Sequence, residues 1–495
     1  MAIVATALSP PAEASPAQRA AVIVRPADAP VFASPDAAHG LVVAGEGASV
    51  SRRGALASLL RGRMGNAIVR GGLPTGEPQI SLATAPARIT FYVSLPPPGK
   101  HHNVVRYPIA VVGPGYRGIL TSSSTRLPGL VSIADIAPSV QALRRGEEPR
   151  IHSRAESEPL RALRRLDRRL DRAHDSRVPA AIVLVALTAA LGLLALATRS
   201  AALGRAAFLA APSCVAVAVL LSALGVSAPS TVVPALALGA GSLALVAGTV
   251  LRPGPPLATG LAALFAFLFA VIWAKPEWNT LGVIGPHPDG GGRFYGVTNQ
   301  VETLLLAPAL VLGALLGARA LPAVALLVAA GIAASRVGAD GGGLVVYLAG
   351  FLVLALHVTR RGITATRAAA ATAVTAGAAF ALVGIDAATG GSSHVTHAVG
   401  GGPGSLLGDL GHRLHLSGAS IASTWNNAVL FGVGLAALLW LAVRRPRLAV
   451  LDALLAALAV SLVVNDTPAD VAGYGALSAL VLTTWLGRCG EQRLE

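Results

Sequence analysis

Two short segments bring together residue types that could do chemistry. In Gly290-Gly-Gly292-Arg293-Phe-Tyr295-Gly-Val-Thr-Asn299-Gln300, a glycine-rich turn leads into a guanidinium, a phenol and an amide just ahead of an apolar run. Free amides and the dipole at a helix start favour negative charge, so Arg293, Tyr295 and Asn299 could hold an anion. The second segment carries Arg336 and Asp340, four positions apart, before Gly341-Gly-Gly343. Ionisable groups near membrane depth are usually paired and often functional. Arg336 then either joins Arg293 as an anion contact or forms a structural ion pair with Asp340 across a tight turn. Trp273, Lys275, Glu277, Trp278, His287 and Asp289 precede the first segment. An interfacial loop with Trp and Arg at headgroup level accounts for that composition without a ligand.

Histidine offers a third possibility. His394/His397 and His412/His415 have helix-compatible spacing for zinc, with Asp386 and Asp409 nearby. Gly400-Gly-Gly402-Pro403 separates the pairs with helix-breaking sequence, so exposed loop histidines are expected, with no metal and no cofactor. Only two cysteines occur, Cys214 and Cys489, too few for a cysteine metal site or a disulfide framework.

The elements that would position these residues are apolar and long. With 54% hydrophobic and 13% charged residues and a mean hydropathy of +0.65, the chain is too apolar for a soluble protein. About eleven transmembrane helices are expected, near 178–197, 206–224, 231–251, 257–274, 301–317, 321–335, 342–358, 367–385, 426–443, 447–464 and 470–486. They are built from Ala, Leu, Val and Gly, which permits close helix approach. The net charge of +15 lies largely in short loops and one juxtamembrane stretch, which points to a membrane surface and not to nucleic acid.

Cationic residues alternate between the gaps. Arg199, Arg205, Arg252, Arg319, Arg360, Arg361, Arg367, Arg444, Arg445, Arg447, Arg488 and Arg493 fall on one side; Lys275, Arg293, Arg336 and Arg413 fall on the other. Cationic loops resist translocation, so the first set reads as cytoplasmic, with the N-terminal third outside and the C-terminus inside. The arginines at 161, 164, 165, 168, 169, 172 and 177 argue the other way, since they abut the first span. The many independent loops outweigh them, and this stretch is read as a basic amphipathic helix on anionic headgroups, with Leu160, Leu163, Leu166 and Leu170 on its apolar face. Met1–Ser9 is apolar but short and lacks a basic n-region, a poor signal peptide. Either sequence precedes it or the first span carries its own N-terminus across.

Four parts are expected: a small α/β domain over 1–142, the juxtamembrane helix over 143–177, a multi-helix transmembrane domain over 178–487 and a cytoplasmic tail over 488–495. Ala21–Val24, Gly40–Val43, Arg88–Ser94 and Tyr107–Val112 read as strands of the first part. Asp135 is placed to cap a helix whose early turn holds Pro138.

The run Tyr107-Pro-Ile-Ala-Val-Val-Gly-Pro-Gly115, continuing through Leu120-Thr-Ser-Ser-Ser-Thr-Arg-Leu-Pro-Gly129 to Ile133-Ala-Asp-Ile-Ala-Pro-Ser139, is similar to the C-terminal portion of alkaline-phosphatase-like domains. Arg293–Gln300 and Gly338-Ala-Asp-Gly-Gly-Gly343 resemble signatures of large bacterial membrane proteins in which an exported alkaline-phosphatase-like domain precedes many helices. The resemblance implies an α-helical polytopic membrane protein of the bacterial cell envelope, preceded by a small extracytoplasmic α/β domain. Metal-dependent members end a strand in an Asp-His pair that holds metal. Here Ile89-Thr-Phe-Tyr-Val-Ser94 runs into Leu95-Pro-Pro-Pro, His101 and His102 lie beyond, and Asp28, Asp36 and His39 lie in loop-like sequence. A degenerate, metal-free pseudoenzyme domain is the expectation. The family's Gly-Asn-Glu becomes Thr298-Asn299-Gln300, with Glu302 two positions later.

These residues leave three classes open. The leading one binds or processes an anionic lipid-linked or polysaccharide precursor in a cleft formed by loops 275–300, 335–342 and 386–425, with Arg293 and Arg336 as anion contacts and Tyr295 and Asn299 as orienting groups. A multi-pass transporter with a broken helix near Gly341–Gly343, or a scaffold for envelope proteins, are the alternatives. Expected partners are membrane lipids, such a precursor and envelope proteins.

Overall fold

The computed structural model describes residues 19–64, 73–74, 76–290, 293–359, 415–444 and 447–488, with single helical positions at 366, 377 and 411. The chain divides into two compact units, Met1–Asp167 with Asp289–Gly291, and Arg168–Pro288 with Gly292–Glu495.

In the first unit the apolar runs form strands β1 (Ala20–Val24), β2 (Ala37–Val43), β3 (Ser49–Ser51), β4 (Ile89–Val93), β5 (Lys100–His102), β6 (Tyr107–Val112), β7 (Gly118–Ser122), β8 (Leu130–Ser132) and β9 (Ile151–Arg154). The main sheet has the order β1-β4-β6-β2-β7-β9, and β8 also pairs with β2. It is mixed: β1 runs parallel to β4, and β6 antiparallel to both β4 and β2. Strand β2 is buried along most of its length because β7 pairs beside Ala38–His39 and β8 beside Leu41–Val43. Helices α1 (Arg52–Arg61) and α2 (Ile136–Arg145) bury Leu59, Ile136 and Val140 in one core with Phe91, Ile109, Leu120 and Val131. The sheet thus extends past residue 142, since β9 completes its edge.

Three sequence expectations are revised in this unit. His39 lies inside β2, buried, with its Nε2 2.8 Å from the Ser34 carbonyl oxygen; burial lowers its pKa and favours neutral imidazole. His101 and His102 lie in β5, a two-stranded ribbon with β3. Asp135 stands at the N-cap position of α2, but its carboxylate makes no cap bond. It accepts from the hydroxyls of Ser122 and Ser124, with Arg150 Nη1 at 3.9 Å. A buried carboxylate tying a strand end to a helix start does more there than a cap would, because Ser122 is itself buried. Asp135→Ala is expected to cost about 1–3 kcal/mol by leaving both hydroxyls without this acceptor. Hydrogen exchange of the full chain should then quicken in β7 and α2, whereas unchanged protection would contradict this role. Burial raises the Asp135 pKa against the lowering effect of its partners. The folded state therefore binds that proton more readily than the unfolded chain, so the group's contribution to stability falls as pH rises from the ordinary aspartate range through its folded value.

The second unit is helical. Its helices include α3 (Pro159–Thr198), which begins in the first unit, α4 (Ala201–Ala223), α5 (Pro229–Val250), α6 (Pro255–Ala274), the short α7 (Pro276–Thr280), α8 (Asn299–Ala333), α9 (Gly341–Val358), α10 (Trp425–Val443), α11 (Ala449–Val464) and α12 (Pro468–Thr483), the last followed by a π turn, Thr484–Arg488. Among the described residues eight helices are long and apolar enough to cross a membrane. Two expected spans fall within α8, whose backbone leaves helical geometry at Gly317 (φ 77°, ψ 178°). Another, α11, has only 16 residues, and 367–385 lies outside the described residues. The expected juxtamembrane helix is no separate element: the basic stretch and the first span are one 40-residue helix, α3. Its Leu163 and Leu170 are buried while Arg161, Arg164, Arg165, Arg168 and Arg172 are exposed. Residues 415–423, expected in a loop, are helical. His394, His397, His412, Asp386, Asp409 and the tail after Arg488 lie outside the described residues, and His415 is exposed.

Small residues set the helix spacing, since apolar side chains gain little from leaving lipid. A Cβ on Gly248 would lie 2.7 Å from the Ala202 carbonyl oxygen, and one on Gly434 2.5 Å from that of Ala472. Arg205, buried in α4, donates from Nε to the Gly248 carbonyl at 2.9 Å.

Candidate functional site

The two glycine-bearing segments lie against each other. The Val297 amide donates to the Gly338 carbonyl (2.8 Å), the Gly338 amide to Gly331 (3.0 Å) and the Asp340 amide to Ile332 (3.0 Å). Upstream, Asn279 Nδ2 donates to the Gly296 carbonyl (2.7 Å) and Thr280 Oγ1 to that of Phe294 (2.9 Å). These bonds pin an irregular backbone that no ladder or helix would satisfy.

Within this frame Arg293 Nη1 reaches Asp340 Oδ2 at 3.3 Å and also donates to the Val297 carbonyl. Asp340 caps α9, its Oδ1 accepting from the Gly343 amide at 3.1 Å. The expected Arg336–Asp340 pair is corrected: Asp340 is held by Arg293, and Arg336 is exposed. Arg293 is thus engaged by a carboxylate, while Arg336 stands on the exposed side of the turn. Tyr295 is half-buried and has a partner of its own. Gly290, expected to offer an amide to an anion, presents its carbonyl to Gly47 N and Asn103 Nδ2 within the first unit.

Asn299 faces away from the pair. Its Nδ2 donates to Asp466 Oδ1 (2.9 Å) and Thr467 Oγ1 (3.0 Å), and its neighbour Gln300 donates to Tyr474 Oη (3.0 Å). These bonds tie the start of α8 to the α11–α12 junction. Glu302, which the sequence marked only by its place two positions after the altered signature and gave no role, lies in the first turn of α8 and is fully buried. Its Oε2 accepts from Asn465 Nδ2 at 3.1 Å, while Oε1 has no hydrogen-bond partner among the described residues. Asn465, the C-cap of α11, also donates to Ser461 Oγ (2.8 Å), and Tyr347 Oη donates to the Glu302 carbonyl (2.9 Å). A Cβ built on Gly343 would stand 3.2 Å from both Asp340 Cγ and Glu302 Cδ, so the two carboxyls flank a position only glycine leaves open.

Four helix ends meet here: the starts of α8, α9 and α12 and the end of α11. Helix starts carry partial positive charge, which favours the carboxylate of Asp340 at the N-cap of α9. The available signal in the sequence was Asn465-Asp466-Thr467-Pro468, polar residues wedged between two apolar runs. Among the described residues no group of three or more His, Cys, Asp or Glu could hold a metal ion.

Comparison with family models, curated proteins and solved structures gave no match.

Proposed function

We propose that this chain is a multi-pass membrane protein of the transporter class, whose working centre is the polar cluster where α8, α9, α11 and α12 meet. One observation carries the reading: a carboxyl group, Glu302, fully buried among helices apolar enough to span a membrane, with one oxygen unpartnered among the described residues. Such groups are costly in that setting and mark ion or substrate paths. The break in α8 at Gly317 and the irregular segments before α8 and α9 add support, since non-helical backbone at membrane depth is tolerated where it lines a protein-enclosed path. The protein is placed in the plasma membrane of a bacterial cell, with the cluster and the first unit outside by the arginine count. The first unit is read as a non-catalytic relative of alkaline-phosphatase-like domains.

The test is access. Cysteine at position 299, in a chain with Cys214 and Cys489 replaced by alanine, should react with a membrane-impermeant maleimide in both right-side-out and inside-out vesicles. Reaction from one face only would overturn the transporter reading.

A second reading has its own support. In the second unit Arg336 is exposed, as are Trp273, Arg168 and Arg172. These suit anionic headgroups and so a one-sided binder of a lipid-linked envelope precursor. Vesicle flotation with and without anionic lipid, comparing Arg336→Ala with the parent chain, should show weakened binding if this surface matters; unchanged binding would remove it.

A further inference from the structure

We infer that the Glu302–Asp340 pair binds a single proton, carried on Glu302, and that this proton is the ion the membrane half moves. Its binding stands on geometry alone, while its movement rests on the transporter reading above.

Two carboxylates flank Gly343, and Arg293 supplies one guanidinium, so the cluster holds one negative charge in excess when both acids are ionised. An uncompensated charge in an apolar interior is expensive, and like charges this close disfavour joint ionisation. One bound cation removes both costs.

The donors decide which acid carries it. Asp340 has the Gly343 amide on one oxygen and Arg293 on the other, both of which favour its anion. Glu302 has the Asn465 amide on Oε2, and among the described residues no donor reaches the buried Oε1, which has the Asp340 carboxyl beside it. Oε1 is therefore the atom that gains the O–H bond, taking the proton from water and returning it to water, with no other bond made or broken. A single oxygen suits a proton; a metal cation requires a shell of several oxygens, and the remaining three of this pair already accept from nitrogen donors. The other polar groups of these helix ends have places of their own. Tyr347 of α9 bonds the Glu302 carbonyl, Asn465 closes α11, Asp466 bonds Asn299, Asp470 lies in the first turn of α12, and Tyr474 bonds Gln300.

The experiment is infrared difference spectroscopy of the full chain in lipid nanodiscs between acid and alkaline pH. Among the protonated-carboxyl bands, one is expected that shifts in heavy water, is missing from Glu302→Gln and survives in Asp135→Asn and Asp470→Asn. Spectra of Glu302→Gln and the parent chain with the same set of bands overturn the proposal. Should that variant not fold, the parent chain still decides: at constant pH, sodium chloride must leave the band as choline chloride does, and its loss in sodium alone would identify a metal-cation site instead. The band can persist while position 299 labels from one face, in which case the proton site stands and the transporter reading falls. Two-faced labelling without the band gives the reverse.

Discussion

Arg293→Ala should destabilise the second unit by about 3 kcal/mol, the lower end of what removing one partner from a buried ion pair costs. Asp340 is almost wholly buried, with 5% of its side chain exposed, whereas Arg293 is 33% exposed and partly screened. The deletion strands a carboxylate beside Glu302 and frees the Val297 carbonyl. Most of that loss comes from the unpaired charge, so Asp340→Asn in the same chain should recover a large part of it. Thermal unfolding in detergent, followed for the two single variants and the double variant, measures the coupling directly. If the double variant is no more stable than Arg293→Ala alone, the pair is not what holds these segments together. Lysine at 293 should restore only part, because a point charge cannot serve Asp340 and the Val297 carbonyl with the geometry of a planar guanidinium.

Alanine at Gly338 is expected to cost about 4 kcal/mol or more, enough to lower the amount of folded protein recovered from membranes. Its Cβ would lie 2.0 Å from the Ile332 carbonyl oxygen and 2.6 Å from the carbonyl carbon. Both are backbone atoms, so no side chain can turn aside. Gly296→Ala meets the same fate from the facing segment: its φ of 86° is left-handed and its Cβ would stand 2.2 Å from the Gly338 oxygen. Gly317→Ala provides the contrast. Like Gly296 it has a positive φ, 77°, but nothing lies within 4 Å, so it should cost only the conformational strain of that backbone, about 1–3 kcal/mol. Equal losses at 338 and 317 in a side-by-side unfolding series would show that close approach of the two segments is not what these glycines secure.

Much of the architecture was readable from the chain because burial in lipid leaves a coarse, long-range mark. Strands β1, β2, β4 and β6 follow short apolar runs, and the helices follow apolar stretches of roughly span length. The helix count was harder. A run such as Asn299–Ala333 is apolar on both sides of Gly317, and its break is a matter of one backbone angle pair that composition does not encode. The abrupt change to arginine-rich sequence likewise suggested a separate helix before the first span, yet arginine is a good helix former and α3 simply continues through it.

At the candidate site, sequence by itself determined that Arg293–Gln300 and Gly338–Gly343 were the polar, glycine-bearing segments worth attention, because such residues stand out against apolar surroundings. Only the tertiary structure decided which charges meet. Spacing along the chain paired Arg336 with Asp340, but the turn between them directs Arg336 outward and admits Arg293 from 47 positions away. Glu302 and Asn465, 163 positions apart, come together through the packing of α8 against the end of α11. Ion pairs are made by distance in space, and a chain folded into many helices leaves that distance to the packing of their ends.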